Sequence, residues 1–186
     1  HFGIASEHAL RAVPHGMVGW AMTNASPLVA PYGSAERLFG TNPLCYAFPA
    51  GRRDPMVIDM ATSAAANGKL ELAAARSQTI PEGWAVDAQG RTTTDPLILQ
   101  KGGALLPLGS NPAGGVHKGY GLGALVDWWS GVLSGASFGP WVPPFVDFLE
   151  PAPDQPGPGL GHALGATAIE ALMPLEEYNR RVERWA

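Results

Sequence analysis

Apolar and polar residues recur with two different periods along this chain, and the switches between them mark its elements. Over residues 2–13 (FGIASEHALRAV), Phe2, Ala5, Ala9 and Leu10 fall on one face, the spacing of an amphipathic helix. Pro14 is expected to end it, because a proline disfavours helical backbone at the residue before it. Three short apolar runs follow: 17–23 (MVGWAMT), 44–49 (LCYAFP) and 55–60 (PMVIDM). Their shortness, their Val, Ile and aromatic content and the Gly, Pro and Asn between them predict strands. The alanine-rich 62–76 predicts a helix with Thr62 or Ser63 near its N-cap, weakened at Gly68, a residue about 1 kcal/mol worse than alanine in a helix. Residues 81–96 are turn-rich, the pattern of a hairpin or a long loop.

Further on, residues 120–134 set Leu122, Leu125, Val126, Trp129, Val132 and Leu133 along one stripe, which predicts a second core helix. The seven prolines of 140–158 rule out regular structure there. A strand over 162–170 and a helix over 174–185 close the chain, with Pro174 at the first turn and Leu175, Tyr178 and Val182 facing inward. Strands and helices mix without regular strand–helix–strand alternation. The expected class is α/β of the α+β type.

Composition narrows the function classes. The 186 residues suffice for one large domain, and 46% apolar against 15% charged residues describes a globular interior. A net charge of -4 gives no basic footprint for nucleic acid, and no apolar run is long enough for a membrane span. The single cysteine, Cys45, cannot form an internal disulfide and suits a reducing cytoplasm. The chain opens at His1 without Met and closes on a helical pattern without a stop signal, as expected of a piece of a longer protein.

Three features carry candidate chemistry. The stretch HKGYGLG at 117–123 suggests a dinucleotide fingerprint, but its glycines read G-x-G-x-G and no buried strand precedes them. Small residues that let a helix pack closely explain them better. Lys118, just before a helix N-terminus, could hold a phosphate as a point charge. In DMATS at 59–63, an aspartate ends a strand and a Thr-Ser pair opens a helix; this is either an ordinary cap or a cofactor site. His1, His8 and His15 recur every seven residues, about 10.5 Å along a helix, too far apart to share an ion, so no metal site is expected. His117 and His162 stay unassigned.

Taken in order, HFG at 1–3, MTNASPLVAPYG at 22–33, GTNPLCYAFP at 40–49, the run from Ile58 to Pro96, ALLPLG at 104–109, HKGYGLGALVDWWSGVLSGA at 117–136 and GH at 161–162 resemble the type 2 malate/L-lactate dehydrogenase family. The resemblance implies a non-Rossmann fold with a mixed β-sheet and packed helices. It implies NAD(P)-dependent hydride transfer between a 2-hydroxy acid and a 2-oxo acid, or the related imine reduction, in a homodimer. It makes His1 the proton acceptor and Asp59, Met60, Ala61 and Lys118 cofactor contacts. The family's serine contact falls on Ala25 here, with Ser26 beside it as a substitute. The whole chain, 1–186, would be the cofactor-binding middle of the enzyme, without the family's substrate-handling arginine. Two other readings stand beside this one: a structural or dimerisation piece without turnover, and a lyase using Lys118 as a Schiff-base nucleophile.

Overall fold

The computed structural model describes residues 2–185. A four-stranded sheet forms its first layer, from β1 (Met17–Thr23), β2 (Leu44–Ala50), β3 (Arg53–Met60) and β7 (His162–Ala168), ordered β3-β2-β1-β7. Every neighbouring pair runs antiparallel. Pro55 is accommodated because β3 is an edge strand, where a missing N–H need not break a ladder.

Helix α1 (Ala5–Leu10) lies across one face of this sheet, burying Ala5 and Ala9 on Ala21, Cys45 and Ala47. The small residues are what the packing needs. A Cβ at Gly19 would stand 1.9 Å from the Ala9 carbonyl oxygen, so only glycine lets the helix come this close. Cys45 is fully buried beneath α1 and opposite Asp59 in the β2–β3 register. Burial, with the Asp59 charge adding to it, pushes its thiol up to about 11. The other face of the sheet takes α3 (Val116–Asp127) through Met22, Leu44 and Val126.

The second unit is a small antiparallel sheet of β4 (Ala85–Val86), β5 (Thr92–Thr93) and β6 (Ala104–Leu105), ordered β5-β4-β6. Leu28, Val29, Phe39, Ile80, Leu99 and Leu105 build its core together with Leu70 of helix α2 (Asn67–Ala75). Parallel pairing occurs at one isolated bridge, Val29–Leu105. Helix α4 (Leu175–Trp185) half-buries Leu175, Tyr178 and Val182, and the Tyr178 hydroxyl donates to the Pro49 carbonyl at 2.9 Å.

The α+β class and the three early strands stand as expected, as do the hairpin in 81–96, the irregular proline segment and the last strand and helix. Three helix expectations need correction. Helix α1 stops at Leu10, and Pro14 sits in a separate 3-10 turn, Val13–His15. Helix α2 begins at Asn67, because the Thr62 and Ser63 hydroxyls donate to carbonyls of Asn42 and Ala65 instead of capping a helix. Helix α3 starts earlier, at Val116, and continues past Asp127 as a π-helical turn, Trp128–Val132. Its buried residues are Val116, Gly119, Gly123, Val126 and Asp127, whereas Leu125, Trp129 and Leu133 of the expected core stripe are exposed.

Candidate functional site

A cleft of about 270 Å³ opens where the start of the chain meets the seam between the two sheets. Phe2 and Gly3 form one side, and the end of β1 with its following turn, Thr23–Ser26, forms the floor. Thr41 and Pro43, the start of α2 at Ala66–Asn67, and Phe145–Val146 of the proline-rich segment complete it.

The start of the chain is clamped into this position. The Phe2 ring stacks on His8 at 4.9 Å and packs on His162 at 4.8 Å. A ring nitrogen of His8 lies 2.9 Å from the Phe2 carbonyl. Asp59, at the end of β3, takes the Ser6 N–H in the first turn of α1 at 2.8 Å. A carboxylate at that end meets the positive end of the helix and its unpaired N–H groups. Asp59 therefore ties the first turn of α1 to the end of β3.

Beneath the floor lies a buried polar chain. The Thr23 hydroxyl reaches the carbonyls of Gly161 and Asn24, both at 3.0 Å, and lies 2.8 Å from His162 Nδ1. A hydroxyl that gives its proton to a carbonyl must accept from the imidazole, so Nδ1 carries the proton of neutral His162 and Nε2 keeps a lone pair. Burial is the main cause that lowers the His162 pKa, and the nearby His8 charge adds to it. Asn24 donates to Asp127 Oδ1 at 3.1 Å, and Gly139 N–H donates to Asp127 Oδ2 at 2.8 Å. Burial raises the Asp127 pKa against the pull of these two bonds.

One loop links two of the predicted cofactor segments, although Asp59, Met60, Ala61 and Lys118 do not themselves line the cleft. Thr62, just after Asp59-Met60-Ala61, donates its N–H to Thr41 in the cleft and accepts from Leu108 N–H, both at 2.9 Å. Leu108 in turn presses on Gly119, where a Cβ would stand 2.1 Å from its carbonyl oxygen. That contact sets the first turn of α3, and Lys118 within it, beside the end of β3. Lys118 is exposed and lies over Gly115, where a Cβ would meet its Cδ at 3.3 Å. An exposed cation on the first turn of a twelve-residue helix suits a phosphate.

Ser26 lies in the cleft wall, buried, and its hydroxyl accepts the Phe145 N–H at 2.7 Å. It holds the proline-rich segment over the cleft. His1 lies outside the described residues. His15 and His117 are exposed and stand apart from the cleft lining. Reading the sequence missed the Phe2 clamp by His8 and His162 and the Asn24–Asp127 pair. The available signal was GH at 161–162, directly after the prolines.

The malate/L-lactate dehydrogenase family model matches residues 1–186, and the chain belongs to that family. It is 42% identical over 185 residues to a malate dehydrogenase of Pyrococcus horikoshii, covering 99% of this chain and 49% of that protein. It is 42% identical over 149 residues to an Escherichia coli ureidoglycolate dehydrogenase (NAD(+)), covering 80% of this chain and 40% of the relative. Among solved structures, the sulfolactate dehydrogenase of Methanocaldococcus jannaschii superposes with a TM-score of 0.81 at 35% identity, over all of this chain and 49% of the other. The chain spans about half the length of the curated relatives it matches.

Proposed function

We propose that this chain is the cofactor-binding middle of an NAD(P)-dependent oxidoreductase that interconverts a 2-hydroxy acid and a 2-oxo acid. The observation that carries the reading is that the start of the chain, which lines the cleft, is tied to the end of β3 by Asp59 and Ser6, and that the segment after β3 is linked to the first turn of α3 through Leu108. Family membership supplies the reaction class.

Asp59, Met60 and Ala61 hold the dinucleotide along the end of β3, and Lys118 meets its phosphate with help from the α3 N-terminus. The Ser26 hydroxyl already accepts from Phe145, leaving its own proton for any cofactor contact. When bound, the nicotinamide supplies the hydride acceptor. In the oxidation direction, the His1 imidazole takes the hydroxyl proton as the C–H electron pair leaves the substrate carbon and the carbonyl forms. Histidine suits that role because its pKa of about 6.5 allows transfer in either direction near neutrality. The Phe2 clamp orients the backbone next to His1.

The Schiff-base reading gains no support. A nucleophilic lysine needs desolvation or a neighbouring cation, and Lys118 is exposed. The cytoplasmic homodimer is retained in this proposal. The dimer is supported by the exposed apolar side chains Leu125, Trp128, Trp129 and Leu133 around the end of α3, and sedimentation equilibrium of the full-length protein tests it. Among the described residues, no helix is long and apolar enough to cross a membrane.

The test is His1→Ala in the full-length protein. Turnover should fall by at least about a hundredfold while reduced cofactor still binds with ordinary affinity. Near-normal turnover removes His1 from the mechanism.

A further inference from the structure

The β3 edge of the first sheet is open. Strand β3 pairs with β2 alone, so its outer row of N–H and C=O groups meets no strand among the described residues. Met56, Val57 and Ile58 are 38%, 38% and 43% exposed, and because side chains alternate along a strand, both faces of this edge present apolar surface. Beside it, between β3 and α4, runs a groove of about 510 Å³. Phe48, Pro49, Met56, Met173, Val182 and Trp185 supply its apolar walls. Trp185 is 79% exposed. Two polar groups of the groove are engaged within the chain: Arg181 pairs with Glu177 at 2.8 Å, and the Tyr178 hydroxyl donates to the Pro49 carbonyl.

A long apolar edge in water invites pairing with other chains, and folded proteins blunt or cover such edges. Pro55 removes one donor, and the β2–β3 register shifts between Phe48 and Ala50, so the edge is interrupted before Met56. From Met56 to Met60 the register runs on without a break. A strand added there gains backbone hydrogen bonds from β3, and its apolar side chains gain burial. A second copy or the rest of the same polypeptide could supply that strand. The chain spans about half the length of its curated relatives, so a comparable length of polypeptide lies outside the matched region in those proteins. A tethered segment meets the edge at a far higher effective concentration than a second molecule does. The apolar patch of Leu125, Trp128, Trp129 and Leu133 is a separate surface, and the dimer reading already uses it.

We propose that the edge of β3 from Met56 to Met60 is paired by a strand from the part of the polypeptide outside residues 1–186, and that an apolar side chain of that segment fills the groove between β3 and α4. The pairing adds a fifth strand to the sheet and fixes the end of β3 from its open side. It stands on the exposed edge and on the length of the relatives, not on the reaction.

The experiment is photo-cross-linking in the full-length protein, with Met56→benzoylphenylalanine in one variant and Val182→benzoylphenylalanine in another. Each variant is irradiated as a mixture of isotopically light and heavy protein, and the joined peptides are identified by mass spectrometry. The expected product links either position to a peptide from outside residues 1–186 of the same molecule. A product joining light to heavy protein overturns the proposal in favour of a second copy on this edge. Products confined to residues 1–186 leave the edge uncovered and overturn it as well. Hydrogen exchange of the unmodified full-length protein gives a second readout that does not depend on the variants folding. All amides from Met56 to Met60 should exchange at least about a hundredfold slower than in unfolded chain. An unpaired edge leaves alternate N–H groups in water, so alternate amides exchanging at the unfolded rate would overturn the pairing.

Discussion

His162 links the start of the chain to the buried polar groups beneath the cleft. It covers one side of Phe2, donates to Thr23, and through Thr23 touches the buried Asn24–Asp127 pair. Burial is the first cause of its lowered pKa and favours the neutral ring. A base whose folded pKa lies below its unfolded value makes the native state lose stability as protons bind. The contribution is whole above the unfolded value of about 6.5 and shrinks as pH falls through 6.5 toward the lower folded value. The thermal midpoint should therefore drop between about pH 7.5 and pH 5, and His162→Asn should flatten that slope. A variant with an unchanged slope would assign the pH dependence to other groups.

At the scale of elements, α3 shows what a hydrophobicity pattern can and cannot reveal. Leu125, Trp129 and Leu133 have the spacing of a core stripe, yet they are exposed. The face that packs holds Gly119, Gly123 and Val126, which allow close approach, and Asp127, which accepts from Asn24 and from the Gly139 N–H. Reading the glycines of HKGYGLG as packing residues holds at Gly119, against Leu108, and at Gly123, against Thr62, whereas Gly121 is exposed with nothing within 4 Å. Strands β1, β2 and β3 were legible because apolar content and turn residues mark a strand locally. The start of α2 was not, since Thr62 and Ser63 resemble caps until distant carbonyls are seen to take their hydroxyls. The cleft is assembled from segments as far apart as Phe2 and Val146, so only its parts could be read from sequence. Gly119→Ala should lower the thermal midpoint by at least about 5 °C, since the new methyl meets backbone on both sides of Leu108. Gly121→Ala, with nothing within 4 Å, should raise it slightly by helix propensity. Differential scanning calorimetry of the pair separates packing from propensity.

At the scale of the whole molecule, one sheet sandwiched between α1 and α3 carries the end of β3, and a second small sheet with α2 carries the far wall of the cleft. Cys45 sits at the centre of the first sheet, sealed beneath α1 and with its thiol pushed up to about 11. It is the sole cysteine of the chain, which makes it a chemical clock for breathing. A thiol reagent at neutral pH can modify it only when α1 lifts from the sheet, because the reactive thiolate is suppressed twice, by inaccessibility and by proton affinity. Modification should thus be slow, first order and independent of reagent concentration once labelling outpaces reclosing. Bound reduced cofactor should slow it further, because α1 is tied to the end of β3 through Asp59 and Ser6. Mass spectrometry of the labelled fraction over time would turn a buried sulfur atom into a direct reading of how often the start of the chain comes loose.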